Sequence, residues 1–196
     1  MLKQVAEKGR IIWPDNSTFF TTSATFLHFP YFRSFEQKQI VLHKIKSLES
    51  IPGLEVIAFS VSMNHFHLMT HAGKGILVSK MKSHLHGGIT REYRKSFDAR
   101  YPEIWQGSRT YWIKDEESYW GVLGYVAGNL LKHKEVGSFQ ELQDCPFSSF
   151  SKHVKEIGSV ASREIVSAVI AVNETAEGVV DLEGIRSCKI PLVRRI

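Results

Sequence analysis

Two histidines one residue apart, His65 and His67, are the sharpest chemical feature of this chain. His65 to His71 reads as a strand that follows a β-prone run, Leu54 to Ser62, and a short turn. Side chains on a strand alternate between faces, so both imidazoles point the same way, about 7 Å apart along the strand. Placed like that they can share one divalent cation; the other reading is an incidental pair. Phe66 and Leu68 point to the opposite face, where a core takes them. His71 shares the histidine face but lies too far along to join the same ion. A second pair, His84 and His86, falls on a helix, where residues two apart diverge by about 200°. It is expected to be exposed or to contact phosphate, not to chelate.

The second constellation is Tyr125 with Asn129. Four residues apart on a helix, they project from one flank. With Val126 at the centre of the apolar stripe, that flank is half buried and half in a cleft. A tyrosine there can serve as a nucleophile and an amide oxygen as a metal ligand; the other reading is a tyrosine that only packs.

Several elements must position these groups. Ser17 to about His28 is a strand rich in Thr and Phe. Ser34 and Gln37 form a capping box that opens a helix to about Leu48, and Pro52-Gly53 is a turn. Leu77, Met81, Leu85, Ile89, Tyr93 and Phe97 recur every four residues, one face of a long helix. Ser108 to Lys114 is a strand. Asp115 is an N-cap followed by Glu116 and Glu117, where the helix dipole favours acids. That helix runs to about Lys132, with Tyr119, Val122, Leu123, Val126 and Leu130 as its buried stripe. Beyond Lys155 only a helix from Ser162 to about Val172 is legible, then an irregular basic end. The order strand, helix, strand, strand, helix, strand, helix implies an α+β fold, an antiparallel sheet with packed helices. A ferredoxin-like (RRM-like) core fits it, and other α+β folds stay open.

The 196 residues suit one domain with a small appendage, and 43% hydrophobic residues suffice for a core. Cys145 and Cys188 are far apart and are expected to be reduced thiols. No apolar run reaches membrane-spanning length, and Met1 to Arg10 lacks the apolar core of a secretory signal. A cytoplasmic protein is expected. The net charge is +5, yet Lys74 to Lys114 alone holds nine basic residues against three acidic ones, a local excess of +6. Tyr93, Tyr101, Trp105, Tyr111 and Trp112 are interleaved with them. Cations that track phosphates and rings that stack on unpaired bases suit single-stranded nucleic acid. A solvated basic helix with core aromatics reads equally well from this segment alone.

Together these segments resemble the single-tyrosine HUH transposases, in particular the REP-associated tyrosine transposase branch. Ser62-Met63-Asn64-His65-Phe66-His67-Leu68-Met69 is similar to its histidine motif. Val78-Ser79-Lys80, Thr90-Arg91-Glu92-Tyr93 and Ile104-Trp105-Gln106-Gly107 with Arg109 follow in the family's order. Asp115-Glu116-Glu117, Gly124-Tyr125-Val126-Ala127-Gly128-Asn129 and Pro146-Phe147-Ser148-Ser149-Phe150 complete it. The resemblance covers about residues 17 to 150, taken as an HUH domain over 1–150, and leaves 151–196 as an extension of unknown role. The chain departs from the pattern at Met63, Leu130 and Gly124, and at Gly128, a helix weakener in the nucleophile's helix. These glycines are expected to loosen that helix.

The resemblance implies an HUH endonuclease fold, with Tyr125 as nucleophile and His65, His67 and Asn129 as ligands of Mg²⁺ or Mn²⁺. It implies cleavage and rejoining of single-stranded DNA beside a hairpin, through a 5′-phosphotyrosine. Lys80, Lys82, Arg91, Arg94 and Arg109 are DNA-contact candidates by charge and position. A monomer is favoured over a dimer. The histidine face should be covered by the Tyr125 helix, and the Leu77 to Phe97 helix should pack elsewhere. Two rivals keep the fold: a non-catalytic nucleic-acid-binding protein, and a phosphodiesterase in which water replaces the tyrosine.

Overall fold

A computed structural model describes residues 5–7, 10–97, 103–174 and 182–191. A short hairpin, β1 (Val5–Glu7) and β2 (Arg10–Ile12), precedes the main body. The core alternates β3 (Ser17–Thr25), α1 (Phe35–Ser47), β4 (Leu54–Val61), β5 (His65–Ala72), α2 (Ile76–Phe97) and β6 (Trp105–Ile113). The sheet order is β4-β5-β3-β6 with every neighbour antiparallel. Two βαβ units thus interleave so that β3 and β5 are central, which is the ferredoxin-like arrangement. After it come α3 (Glu116–Lys132), α4 (Phe139–Asp144), α5 (Phe150–Ile157), α6 (Ser159–Val169) and α7 (Leu182–Arg186).

Local chemistry sets several boundaries. Ser34 and Gln37 close a full capping box at the start of α1. Asp115 caps α3 by accepting from the Ser118 amide at 2.7 Å. β6 begins at Trp105, ahead of the expected Ser108, because pairing with Ala24 and Thr25 outweighs the weak strand preference of Gln106-Gly107. Residues 147–149 run along the outer side of β4, with Val61 donating to the Phe147 carbonyl and Ser149 to that of Phe59. They cover an edge that would otherwise offer free backbone groups.

Helices pack on both faces of the sheet, and the central strands β3 and β5 bury residues on each, while β6 is largely open. Phe19, Phe66 and Leu68 meet Val41 and Ile45 of α1 and Met81, Leu85 and Ile89 of α2. Phe20, Ala58 and Met69 meet Val122, Tyr125 and Val126 of α3. The histidine face therefore lies under α3, and α2 lies on the far side, as the resemblance implies.

The helix expected from Ser162 is α6, and α7 stands where an irregular end was expected. α6 and α7 pack on the outward side of α3, so residues 120–130 are buried all round instead of along one stripe. The glycines of α3 permit this approach. A Cβ on Gly124 would lie 2.4 Å from Ile165 Cγ2 and 2.8 Å from the Ile165 carbonyl oxygen. One on Gly128 would lie 2.4 Å from Val166 Cγ1, and one on Gly121 2.4 Å from Ile185 Cγ2. These glycines seat a second layer of helix, which corrects the expectation that they loosen α3. Among the described residues, no helix is long and apolar enough to cross a membrane.

Candidate metal and nucleophile site

β5 and α3 bring the two sequence-predicted constellations together. His65 and His67 are 4% and 0% exposed, with ring centroids 4.8 Å apart. The Tyr125 ring stands edge-on to that of His67, with centroids 5.3 Å apart. Asn129, one turn further, places Oδ1 3.0 Å from His65 Nε2. Tyr125 itself is only 2% exposed, and its hydroxyl has no hydrogen-bond partner among the described residues. The expected half-open flank is closed because α6 leads into residues 170–174, which return over the site. Val172 joins the apolar cluster around Tyr125, and Lys132 lies over the Tyr125 ring while donating to the Val172 carbonyl.

His65 sits between two amides whose orientations are fixed. Asn64 Nδ2 donates to the His28 carbonyl, which turns Asn64 Oδ1 toward His65 Nδ1 at 2.7 Å. Asn129 Nδ2 donates to Glu174 at 3.4 Å, which turns its oxygen toward His65 Nε2. A neutral imidazole carries one proton, so one of its nitrogens must face an oxygen lone pair with a lone pair of its own. Only an imidazolium would satisfy both sides, and burial together with neighbouring His67 pushes His65 down to about 3. Burial, with His133 and Lys132 nearby, does the same to His67, also to about 3. Among the described residues, neither nitrogen of His67 has a hydrogen-bond partner. Buried lone pairs without donors fit a cation.

Glu174 is the residue sequence reasoning missed. It lies beyond the resembling region, in a stretch without period or motif, and nothing in the sequence signalled it. Its carboxylate is 3.5 Å from His67 Nε2 and 3.2 Å from His133 Nε2. His65, His67 and Glu174 each offer a ligand atom, all within 4.8 Å of one another, a set compatible with a metal site. Burial raises the Glu174 carboxyl above its ordinary value, against the pull of His65 and His28.

The basic candidates do not form one surface. Lys80, Lys82, Arg91 and Arg94 are on α2, behind the sheet, where Arg91 and Arg94 line a shallow hollow with His86, Thr90 and Trp105. Arg109 pairs with Thr22, which in turn pairs with His67, so Arg109 alone of the five shares the histidine face. Asp98, Arg100 and Tyr101 of the basic segment lie outside the described residues, as does the end of the chain from 192. His84 and His86 do not chelate: His84 bonds Ser47 at 2.9 Å, while His86 stacks on Trp105 and bonds Ser23 at 2.9 Å. His71 lies at the far end of the histidine face, 3.2 Å from Asn16 Oδ1. Cys145 and Cys188 are free thiols.

No family model matches the chain, and no curated protein matches it significantly. A solved REP-associated tyrosine transposase bound to a REP hairpin is similar over 77% of this chain and 86% of that chain, at 22% identity and TM-score 0.56. A Deinococcus radiodurans R1 protein with a provisional transposase designation aligns over 62% of this chain and 95% of its own, at 16% identity and TM-score 0.42. The chain shares the α+β fold of the REP-associated tyrosine transposase, four antiparallel strands packed against helices.

Proposed function

We propose that this chain is a single-strand DNA endonuclease and strand transferase that depends on a divalent metal and works through Tyr125. One observation carries the reading: Tyr125 lies against His67, beside a buried nest of nitrogen and oxygen atoms that lacks a cation's worth of donors. The shared fold supports it, and so do the motifs that follow a transposase order along the sequence. The similar structure is named as bound to a REP hairpin, and single-stranded DNA with a hairpin is the proposed substrate here.

His65, His67 and Asn129 would hold Mg²⁺ or Mn²⁺; two imidazoles suit Mn²⁺ better than Mg²⁺, which prefers oxygen. When bound, such an ion polarises the scissile phosphate and stabilises its developing charge. The Tyr125 oxygen loses its proton and attacks phosphorus. The bond from phosphorus to the 3′ oxygen breaks, and that oxygen takes up a proton. The products are a 5′-phosphotyrosine and a free 3′-hydroxyl, and return attack by a 3′-hydroxyl rejoins strands. A tyrosine of ordinary pKa, about 10, is a poor nucleophile at neutral pH, which is why the charge-stabilising neighbourhood matters. Arg109 on the same face and the α2 cations behind the sheet would hold flanking DNA.

The test is a denaturation-resistant adduct between the protein and end-labelled single-stranded DNA bearing hairpins, in Mg²⁺ or Mn²⁺. The adduct is expected with the native chain and lost in Tyr125→Phe and His65→Ala. A non-catalytic DNA-binding role draws on the 2% exposure of Tyr125. DNA binding without any adduct, over several hairpins and both metals, would establish that role instead.

A further inference from the structure

We infer that Glu174 is a ligand of the divalent cation, so that the segment after α6 is part of the metal centre. This rests on the proposed metal site and adds a residue and an element to it. Four observations support it. The Glu174 carboxylate is the one acidic group whose oxygen joins the two histidines within 4.8 Å, among the described residues. It stands 3.5 Å from His67 Nε2, which is fully buried and has no hydrogen-bond partner among the described residues. Among the described residues its other polar contacts, Asn129 at 3.4 Å and the partly exposed His133 at 3.2 Å, bring no fixed positive charge to a carboxylate at 12% exposure. Finally, the segment is held there independently: Val172 packs in the cluster around Tyr125, and Lys132 donates to its carbonyl.

The distances suit a small shift and no rearrangement. Ligand atoms on neighbouring positions of a six-coordinate ion with bonds of about 2.1 Å are about 3.0 Å apart, and opposite ones are about 4.2 Å apart. His65 Nε2 and Asn129 Oδ1 already stand at 3.0 Å, and His67 Nε2 and Glu174 Oε1 at 3.5 Å. Two neutral imidazoles and an amide would bind a divalent ion without lowering its charge. A carboxylate does lower it, and oxygen donors also suit Mg²⁺ and Mn²⁺. Because Glu174 is on a chain segment and not on the sheet, ion binding should fasten residues 170–174 over Tyr125.

The experiment titrates Mn²⁺ alone into the full chain without DNA, following loss of the free-ion signal by electron paramagnetic resonance. The native chain, Glu174→Gln, His67→Ala and Tyr125→Phe are compared. Glutamine keeps the size and can still accept from Asn129, and a matched melting temperature in EDTA shows that it folds. Mn²⁺ affinity is expected to fall at least about tenfold in Glu174→Gln, further in His67→Ala, and to hold in Tyr125→Phe. Hydrogen exchange gives a second readout: Mn²⁺ should slow the amides of 170–174 in the native chain and not in Glu174→Gln. Equal Mn²⁺ affinity in the native chain and Glu174→Gln, with His67→Ala impaired, overturns the role of Glu174 and leaves the proposed function standing. Failure of the native chain to bind Mn²⁺ overturns both.

Discussion

Replacing Gly128 with alanine tests whether the glycines of α3 are there to seat α6. The new Cβ would stand 2.4 Å from Val166 Cγ1 and 3.2 and 3.3 Å from its Cγ2 and Cβ. Ordinary carbon contacts start near 3.5 Å, so the first is more than about 1 Å too close. Val166 is 1% exposed and cannot turn away into solvent. Overpacking of this kind costs about 1–3 kcal/mol, and alanine's better helix propensity returns about 1 kcal/mol. An overlap this large falls in the upper part of that range, about 2–3 kcal/mol, so the net expectation is a loss of about 1–2 kcal/mol, or a melting temperature about 2–8 °C lower for a chain of this length. Val166→Ala alone should cost about 2 kcal/mol by leaving a cavity. In the double variant the alanine methyl occupies part of that cavity. Its loss should therefore be smaller than the sum of the two by at least about 1 kcal/mol. Urea unfolding of the four proteins in EDTA, with equal m-values, measures the coupling. A Gly128→Ala protein as stable as the native chain, with additive effects in the double variant, would refute the packing account.

Two further expectations follow from the buried groups. Tyr125→Phe removes a buried hydroxyl that has no partner among the described residues, so stability should hold or rise by up to about 1 kcal/mol while the DNA adduct disappears; a loss above about 1 kcal/mol in urea unfolding would mean the hydroxyl is bonded in solution. His65 and His67 stay neutral down to about 3 in the folded chain but take protons near 6.5 once unfolded. The unfolded state then binds more protons throughout that window, so their contribution is complete above about pH 6.5 and is lost as pH falls toward 3. In EDTA the native chain should lose on the order of several kcal/mol between pH 7 and 4, and His67→Gln should flatten the slope. A native chain whose urea midpoint stays level over that range would contradict the neutral pair.

Local patterns told most of the site and little of what surrounds it. Alternation along β5 put both histidines on one face, and a four-residue stripe gave α2, because each depends only on residues close in sequence. The capping residues Ser34 and Asp115 were legible for the same reason. Burial of α3 on every side was not, since its outer cover comes from residues some 35 to 65 positions later. Three glycines in a helix look like weakness until Ile165, Val166 and Ile185 are seen against them. Glu174 carried no signal at all: a single acid in an aperiodic stretch acquires meaning only when α6 turns it back over β5. The α2 cations and Arg109 looked like one basic band along the chain, yet the sheet separates them.

The loop before α1 has a consequence for the histidine it touches. Leu27 and His28 both take left-handed backbone angles, at φ 51° and 52°, and Thr25 holds the loop, its hydroxyl donating to the Phe29 carbonyl and its amide to that of Asn64. This geometry aims the His28 carbonyl at Asn64, and through that amide it holds the ring of His65, whose tautomer protonated at Nδ1 would donate to Asn64 Oδ1 and leave the Nε2 lone pair free. A cation entering here would meet a lone pair already oriented. No proton would have to leave His65 at neutral pH, and the cost of freezing its side chain has been met during folding. Heats of Mn²⁺ uptake should then owe little to the ionisation of the buffer, and the rate of capture should depend on how fast the ion sheds water and reaches the site, with little contribution from rearrangement of this histidine.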